Sequence, residues 1–299
     1  MHRPVMLEEV LTWLQPRAGG IYLDGTIGAG GHSRAILEAS GPGGRIIGLD
    51  RDAAAVAEAR ETLASFGDRA LIMPAEYKDA VGVVRGVTAR GLDGALLDLG
   101  VSSMQLDQAA RGFSFMAEGP LDMRMDQRES LTAADLVNRL TEQELTRILF
   151  EYGEERYARR IARAIIRRRE RDPILTTLSL VDVIRGAVPP SYLHGRLHCA
   201  TRTFQALRIA VNHELDGFDA SLRRMAGLLR PEGRLVVLSF HSLEDRIVKH
   251  TFRALAAGAD AGFAVLTKRP LTPSDRECAE NPRARSAKLR VLERCEVAA

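Results

Sequence analysis

A cluster of glycines follows a short apolar segment near the start of the chain. The segment ends in Asp24, and four glycines fall within residues 25–31. Glycine permits a tight turn and lets a ligand approach the backbone closely. A dinucleotide-binding turn would carry a third glycine at Ser33, and a P-loop would carry a lysine, which this segment lacks. The residues therefore predict a turn that binds a nucleotide-like ligand but lacks a residue to bind its phosphate.

Two further apolar segments also end in acids. Asp50 ends the segment 45–50, 26 residues after Asp24, and Asp98 lies near the end of the segment 94–99. In open α/β sheets, ligands bind beyond the carboxyl ends of the strands, where a carboxylate can accept hydrogen bonds from both ribose hydroxyls. Strand-end acids also occur without a ligand, but three of them beside a glycine cluster favour a binding site. Asp52 is predicted to cap a helix instead.

These acids require a particular arrangement of strands and helices. Apolar runs that read as strands alternate with helix-like stretches in the first third of the chain, which predicts a parallel sheet with helices on both faces. The predicted strands are 21–24, 45–50, 70–73 and 94–99, and the predicted helices are 33–39, 53–66 and 78–89. No strand is predicted in 108–201, where Thr132 and Thr141 each begin a helix through a capping box.

The α/β pattern returns near the end of the chain. A turn is predicted at 231–233, and later strands are predicted at 235–239, 263–267 and 288–292. The sequence thus indicates one α/β domain in two pieces, residues 1–106 and 202–299. A helical insertion, residues 107–201, separates the two pieces and is expected to shape the substrate site.

Composition excludes several classes of protein. The chain has 299 residues, of which 45% are hydrophobic and 27% charged, so it is neither disordered nor fibrous. Its three cysteines show neither a disulfide framework nor zinc-ligand spacing, and no metal site is predicted. The chain lacks the run of 18 apolar residues that a membrane span needs, and Glu8 and Glu9 interrupt any signal peptide. A cytoplasmic protein is therefore expected.

Eight blocks of the sequence together resemble one known family. The blocks are DGTIGAGGHS (24–33), LDLGVSS (97–103), RGFSFM (111–116), GPLDMRMD (119–126), YGEER (152–156), ATRTFQALRI (200–209), SFHSLEDRIV (239–248) and NPRARS (281–286). In this order they resemble the bacterial 16S rRNA cytosine-N4 methyltransferases, the RsmH or MraW family. The resemblance implies the class I methyltransferase (Rossmann-like) fold and S-adenosyl-L-methionine (SAM) as cofactor. It also implies as substrate a cytidine in the decoding centre of 16S rRNA, near the P site, within the small ribosomal subunit.

The resemblance also assigns a cofactor site by position. Asp50 would hold the ribose, Tyr77 would lie against the adenine, and His32 would position the methionine part. The implied SAM-binding residues are Gly30, Gly31, His32, Asp50, Tyr77, Asp98 and Gln105.

Methylation of a cytosine amine places its own demands on these residues. The lone pair of N4 is delocalised into the ring, so an acceptor for an N4 hydrogen would assist the attack and then take the proton. Asp98 or the backbone carbonyls of residues 99–102 could supply that acceptor. Two roles fit His241: a contact to the base or assistance with proton loss, or a hydrogen bond at a helix start. Methylation at carbon 5 would need a cysteine near the site, and residues 1–198 contain none.

Basic residues concentrate where RNA could bind. Residues 156–171 hold eight arginines and one acid, and five of the arginines form one helical stripe opposite an apolar face. Phosphate binding and a merely solvated face both fit such a stripe, and RNA as substrate favours the first. The candidate RNA-binding residues are Arg163, Arg167, Arg283 and Arg285. Phe113, Phe115 and Met116 could stack on a base or pack in the core of the insertion.

Two other functions remain as alternatives. A nicotinamide dehydrogenase uses the same kind of sheet, but Ser33 replaces the third glycine of its turn. A non-catalytic ribosome-assembly factor could keep SAM binding without turnover, and only a measurement of turnover separates it from an enzyme.

Overall fold

The computed structural model describes residues 4–195, 197–257 and 262–296. The chain forms two compact units. One consists of residues 1–100 together with 217–299, and the other consists of residues 101–216. Within the described ranges, no helix is both long enough and apolar enough to cross a membrane.

The first unit is built around a seven-stranded sheet, counted over the described residues. The strands are β1 (Ile21–Asp24), β2 (Arg45–Asp50), β3 (Ala70–Pro74), β4 (Leu92–Asp98), β5 (Leu229–Ser239), β6 (Phe263–Val265) and β7 (Lys288–Arg294). Their order is β3-β2-β1-β4-β5-β7-β6, in which β1 to β5 are parallel and β7 is antiparallel to both of its neighbours. This is the Rossmann-like arrangement of class I SAM-dependent methyltransferases, which confirms the predicted fold class.

The helices occur in both units. They are α1 (Leu7–Leu14), α2 (Gly31–Ala39), α3 (Ala53–Thr62), α4 (Ala80–Val87), α5 (Ser103–Asp107), α6 (Ala133–Arg139), α7 (Glu142–Glu151), α8 (Ala158–Arg169), α9 (Thr177–Ala187), α10 (Pro190–Leu193), α11 (Thr201–Asn212), α12 (Phe218–Ala226), α13 (Ser242–Leu255) and α14 (Asp275–Glu280). Helices α5 to α11 belong to the second unit.

The sheet is buried on both faces, as its uninterrupted apolar strands require. Alternate residues of β4 enter different clusters: Leu96 joins the cluster that includes residues of α1 to α3, whereas Ala95 and Leu97 join the cluster that includes residues of α4, α12 and α13. This packing fixes the carboxyl ends of β1, β2 and β4, where the three predicted acids lie.

One prediction about the sheet is wrong. Residues 231–233 do not form a turn before a strand but lie inside β5, which already begins at Leu229. The pairing of β5 with β4 shifts register between Leu92 and Gly94, and Glu232 there adopts a positive φ of 62°. The proline and glycine therefore mark an irregularity within the strand, where the ladder is interrupted.

The second unit is helical in its described residues and contributes no strand to the sheet. Thr132 and Thr141 form the two predicted capping boxes at the starts of α6 and α7. Helix α11 buries Phe204, Leu207 and Val211 in the core of this unit. The compact unit accordingly ends at Asp216, whereas the sequence placed the end of the insertion at residue 201, and it begins at Val101 rather than at residue 107.

Candidate active site

The glycine cluster forms the turn between β1 and α2. Gly28 and Gly30 have φ of +52° and +84°, in the left-handed region that L side chains rarely adopt. Gly25 N donates to the carbonyl of Leu96, and Ile27 N donates to the carbonyl of Leu49, at 2.9 and 2.8 Å. The turn is therefore joined to β4 on one side and to β2 on the other.

Asp50 lies at the end of β2, beside this turn. Its Oδ2 accepts a hydrogen bond from Gly28 N at 3.0 Å, and its Oδ1 accepts one from Asp52 N at 2.9 Å. Burial raises the pKa of Asp50, and the two backbone donors oppose that rise. Each carboxylate oxygen has a second lone pair that could accept a ribose hydroxyl. Asp52 caps α3 through Ala54 N, as predicted.

Tyr77 follows β3 and lies against the turn. A Cβ added to Gly25 would come within 3.0 Å of the Tyr77 Cβ and 2.6 Å of Leu97 Cδ2. The absence of that carbon is what lets Tyr77 approach the turn so closely. The Tyr77 ring meets Phe218 edge to face, with the ring centroids 5.9 Å apart. This contact orients the half-buried Tyr77 ring next to the glycine turn.

Asp98 and His32 form a pair beneath the turn. The backbone N of Asp98 donates to Thr26 Oγ1 at 2.6 Å, which ties the end of β4 to the glycine turn. The Nε2 of His32 lies 3.5 Å from Asp98 Oδ2, and the two side chains are 7% and 26% exposed. Neither ring nitrogen of His32, nor Asp98 Oδ1, has a hydrogen-bond partner among the described residues.

Asp24 is buried next to this pair. Its carboxylate accepts hydrogen bonds from the Ser33 hydroxyl at 2.6 Å and from Thr26 N at 3.2 Å. Burial raises the pKa of Asp24 to about 6, and the charge of Asp98 acts in the same direction, whereas these hydrogen bonds and His32 oppose the rise. Asp24 therefore holds the turn in place rather than facing a ligand.

Two residues of this turn have roles that their sequence context did not predict. Ser33 entered only as a missing glycine, yet its hydroxyl binds Asp24, and Thr26 links the turn to Asp98. Both hydroxyls lie in the DGTIGAGGHS block, so a search of that block for partners of Asp24 could have found them.

The site fits the methyl donor that the resemblance implies. Helix α2 has no side-chain cap, so its first backbone N–H groups are free to bind a carboxylate such as that of methionine. The unpartnered nitrogens of buried His32 lie in the first turn of the same helix. Asp50 and Tyr77 offer an acceptor for a ribose and a ring for an adenine.

His241 takes the helix-start role that the sequence left open. It is the N-cap of α13: its Nδ1 accepts from Glu244 N at 3.4 Å, and its Nε2 lies 3.1 Å from Glu244 Oε1. The side chain is only 6% exposed. A role for His241 in proton transfer therefore stays a prediction beside an observed capping role.

Gln105 belongs to the helical unit. It is buried, and its Oε1 accepts from Ser102 N at 3.0 Å in the capping box of α5. Its implied contact with the cofactor stays a prediction.

The arginine stripe lies on α8 and its flanks, as predicted. All five of its arginines are exposed, and the apolar residues opposite them are buried. The stripe consists of Arg156, Arg160, Arg163, Arg167 and Arg171. Arg163 pairs with Glu142 at 3.3 Å, so its charge is partly compensated. Arg283 and Arg285 are exposed on the short helical turn Pro282–Ser286.

The aromatic residues of the insertion divide between the two suggested roles. Phe113 is 6% exposed and belongs to the core of the helical unit. Phe115 stacks on His198, with the ring centroids 4.8 Å apart. Met116 is 80% exposed. Core packing therefore accounts for Phe113, whereas Met116 remains available to a partner.

Comparisons with known proteins identify the family of this chain. The sequence pattern of the MraW methylase family matches residues 1–295. A protein of Geobacter sulfurreducens named ribosomal RNA small subunit methyltransferase H is 55% identical over 306 residues, which cover 98% of both chains. A protein of the same name from Syntrophotalea carbinolica is 52% identical with the same coverage.

A methylase requires a methyl donor, and SAM is the cofactor of this enzyme. The glycine turn, Asp50 and His32 remain its predicted binding residues. Both the match along the chain and the identity of the relatives lead to one conclusion: the chain belongs to the MraW methylase family.

Proposed function

We propose that the protein transfers a methyl group from SAM to the exocyclic N4 of one cytidine in the decoding centre of 16S rRNA. The relatives carry the name of small-subunit rRNA methyltransferases, which supports rRNA of the small subunit as substrate. The substrate would be met in the cytoplasm, where bacterial ribosomes lie. The observation that carries the proposal for an amine is the carboxylate of Asp98, with a buried and unpartnered oxygen at the end of β4.

The reaction depends first on position. SAM supplies a methyl group on a positively charged sulfur, and its displacement requires nucleophile, carbon and sulfur in line. Holding two reactants in that geometry can lower the barrier by several kcal/mol, roughly 7–11 in favourable cases. Asp50, Tyr77 and the uncapped start of α2 provide the fixed contacts for one of the two reactants.

The amine requires an acceptor as well. As N4 attacks, it changes from planar to tetrahedral, and one of its hydrogens becomes acidic. The Asp98 carboxylate can accept a hydrogen bond from that N4 hydrogen and then take the proton as the new N–C bond forms. The carboxylate, whose side chain is 26% exposed, then returns the proton to water.

The positions of the cysteines support nitrogen rather than carbon as the methylated atom. Methylation of cytosine at carbon 5 uses a cysteine that adds to the ring. The cysteines of this chain are Cys199, Cys278 and Cys295, and none lies in the glycine turn or directly after β4.

The first test is incubation of purified protein with SAM and undermethylated 30S subunits. The rRNA is digested, and the nucleosides are identified by mass spectrometry against N4-methylcytidine and C5-methylcytidine standards. The expected result is N4-methylcytidine in one decoding-centre fragment. C5-methylcytidine would contradict the assigned atom. Binding of SAM and 30S without any methylation would favour the non-catalytic assembly factor, and tight NAD binding would favour the dehydrogenase.

A further inference from the structure

One arginine of the stripe is held against two aromatic rings. The guanidinium carbon of Arg156 lies 4.7 Å from the centroid of the Tyr157 ring and 4.8 Å from that of Tyr192. The two rings meet edge to face at 72°, with their centroids 5.0 Å apart. The guanidinium therefore lies over both rings, and cation–π attraction restricts its position.

A buried carboxylate fixes the rings beneath Arg156. Glu155 is fully buried, and its two oxygens accept hydrogen bonds from Tyr157 N at 2.9 Å and from the Tyr192 hydroxyl at 2.7 Å. Burial and Glu155 together raise the pKa of Tyr192, which keeps its hydroxyl protonated as a donor. One acid therefore joins the start of α8 to α10 and sets the geometry of the aromatic pair.

Packing alone does not require a guanidinium at this position. Arg156 is exposed, and among the described residues it forms no ion pair with a carboxylate. It also stands at the first position of the stripe, and Arg160 lies 5.8 Å from the Tyr157 ring. A planar cation with restricted motion, exposed at the end of a row of positive charges, has the properties that stack on a nucleobase next to a bound RNA backbone.

We propose that Arg156 is a stacking platform for one unpaired base of the rRNA substrate, and that Tyr157 and Tyr192 hold its guanidinium in place. The proposal rests on rRNA as the substrate of this enzyme. The remainder of the stripe binds phosphates through charge, whereas Arg156 binds through its planar shape. These two modes of binding differ in their dependence on the salt concentration and on whether the positively charged side chain is arginine or lysine.

The test replaces Arg156 with lysine, which keeps the positive charge but removes the planar group. Arg159→Lys is the matched control, because Arg159 is exposed in the first turn of α8, three residues from Arg156, and has no cation–π contact with either ring among the described residues. Binding to 30S subunits is measured over a range of salt concentrations, and kcat and KM are measured with SAM saturating. Unchanged thermal unfolding shows that each variant is folded.

For Arg156→Lys we expect binding to 30S about tenfold weaker, with KM raised to a similar extent and kcat nearly unchanged. The slope of log affinity against log salt should equal that of wild type, because the charge is kept. Arg159→Lys should stay within twofold of wild type. Equal affinity of the Arg156→Lys variant and wild type would overturn the proposal, as would an equal loss in the control.

The proposal can fail separately from the proposed function. N4-methylcytidine made by wild type, together with an unaffected Arg156→Lys variant, removes the platform and keeps the enzyme. A binding loss in this variant without any N4-methylcytidine keeps the platform and removes the assigned reaction. A wild-type protein that binds no 30S subunits contradicts both.

Discussion

The Nε2 of His32 lies 3.5 Å from Oδ2 of Asp98, and the second oxygen of Asp98 has no hydrogen-bond partner among the described residues. The two atoms of the carboxylate thus have different surroundings. One oxygen lies near a buried ring from the start of α2, and the other is itself buried. This division suits a group that must stay in place while it accepts a hydrogen bond from an incoming amine.

Replacement of Asp98 with asparagine should reduce turnover far more than cofactor binding. An amide cannot take the N4 proton, and removal of a general base typically costs about 10²- to 10⁴-fold in rate. We expect kcat to fall within that range when SAM is saturating, with the Kd for SAM changed by less than about tenfold. Single-turnover methylation of 30S subunits and calorimetry provide the two values. Asp68→Asn is the control, because Asp68 is exposed. Turnover by the Asp98→Asn variant within twofold of wild type would remove Asp98 from the chemistry.

Replacement of Asp50 with alanine should weaken SAM binding. Hydrogen bonds to a charged group contribute about 1.5–3 kcal/mol each, which corresponds to roughly 10- to 100-fold in affinity for one ribose hydroxyl. Calorimetry with SAM measures the loss directly. The matched control is Asp52→Ser, which preserves a capping oxygen for α3 two residues away. An unchanged affinity of the Asp50→Ala variant would contradict the assigned ribose contact.

The sheet was predictable because its local signals and its burial agree. Strands β1 and β2 have the bounds expected from the sequence, since apolar runs buried on both faces have abrupt ends. Residues 231–233 were misassigned because proline and glycine usually mark a turn, and the pairing that keeps them in β5 depends on β4, which lies far away in sequence. The placement of α11 likewise depends on long-range packing against α6 and α7, which local periodicity does not report.

The candidate site could likewise be predicted only in part. The glycine turn and the three acids could be identified because their types and spacing carry the chemistry. The partners of those acids could not be identified, because the contact of Ser33 with Asp24 and the approach of His32 to Asp98 arise only when β1, β4 and α2 are assembled. Partial compensation of Arg163 by Glu142 is a tertiary contact of the same kind.

The stability of the protein should depend on pH through Asp24. Burial raises the folded-state pKa of Asp24 to about 6 from its ordinary value of 3.8. Between these pH values the folded protein keeps a proton that the unfolded chain loses. The contribution of Asp24 to stability is therefore fully present below pH 3.8 and is lost as the pH rises through 6.

Urea unfolding at pH 4.5 and 7.5 checks this effect against Asp24→Asn, which has no group to titrate at this position. The free energy of unfolding of wild type should fall between the two pH values by on the order of 2 kcal/mol more than that of the variant. Only the difference between the two pH values is compared, so a constant loss of stability in the variant does not affect the result. Asp68→Asn should behave as wild type, and parallel changes in wild type and Asp24→Asn would refute a raised pKa.

Charge reversal on the stripe should weaken binding of the ribosomal substrate without affecting SAM. The double variant Arg163→Glu, Arg167→Glu should bind 30S subunits at least tenfold more weakly at low salt and should bind SAM normally. Arg163 forms an ion pair with Glu142, whereas Arg167 has no partner among the described residues. Of the two single alanine variants, Arg167→Ala should therefore weaken binding to 30S subunits more. For each lost phosphate contact, the slope of log affinity against log salt should fall by about 0.7–0.9.

The double reversal of Arg85 and Arg90, which are exposed on α4 and just beyond it, changes the net charge equally and serves as the control for that experiment. If the stripe binds RNA through local phosphate contacts, the control should retain most of the affinity, because salt screens charges beyond about 10 Å at 0.1 M. Equal losses in both double variants would mean that only the total charge matters. Normal 30S binding by the stripe variant would identify the stripe as a solvated face, and the RNA contacts would then have to be sought elsewhere, first at Arg283 and Arg285.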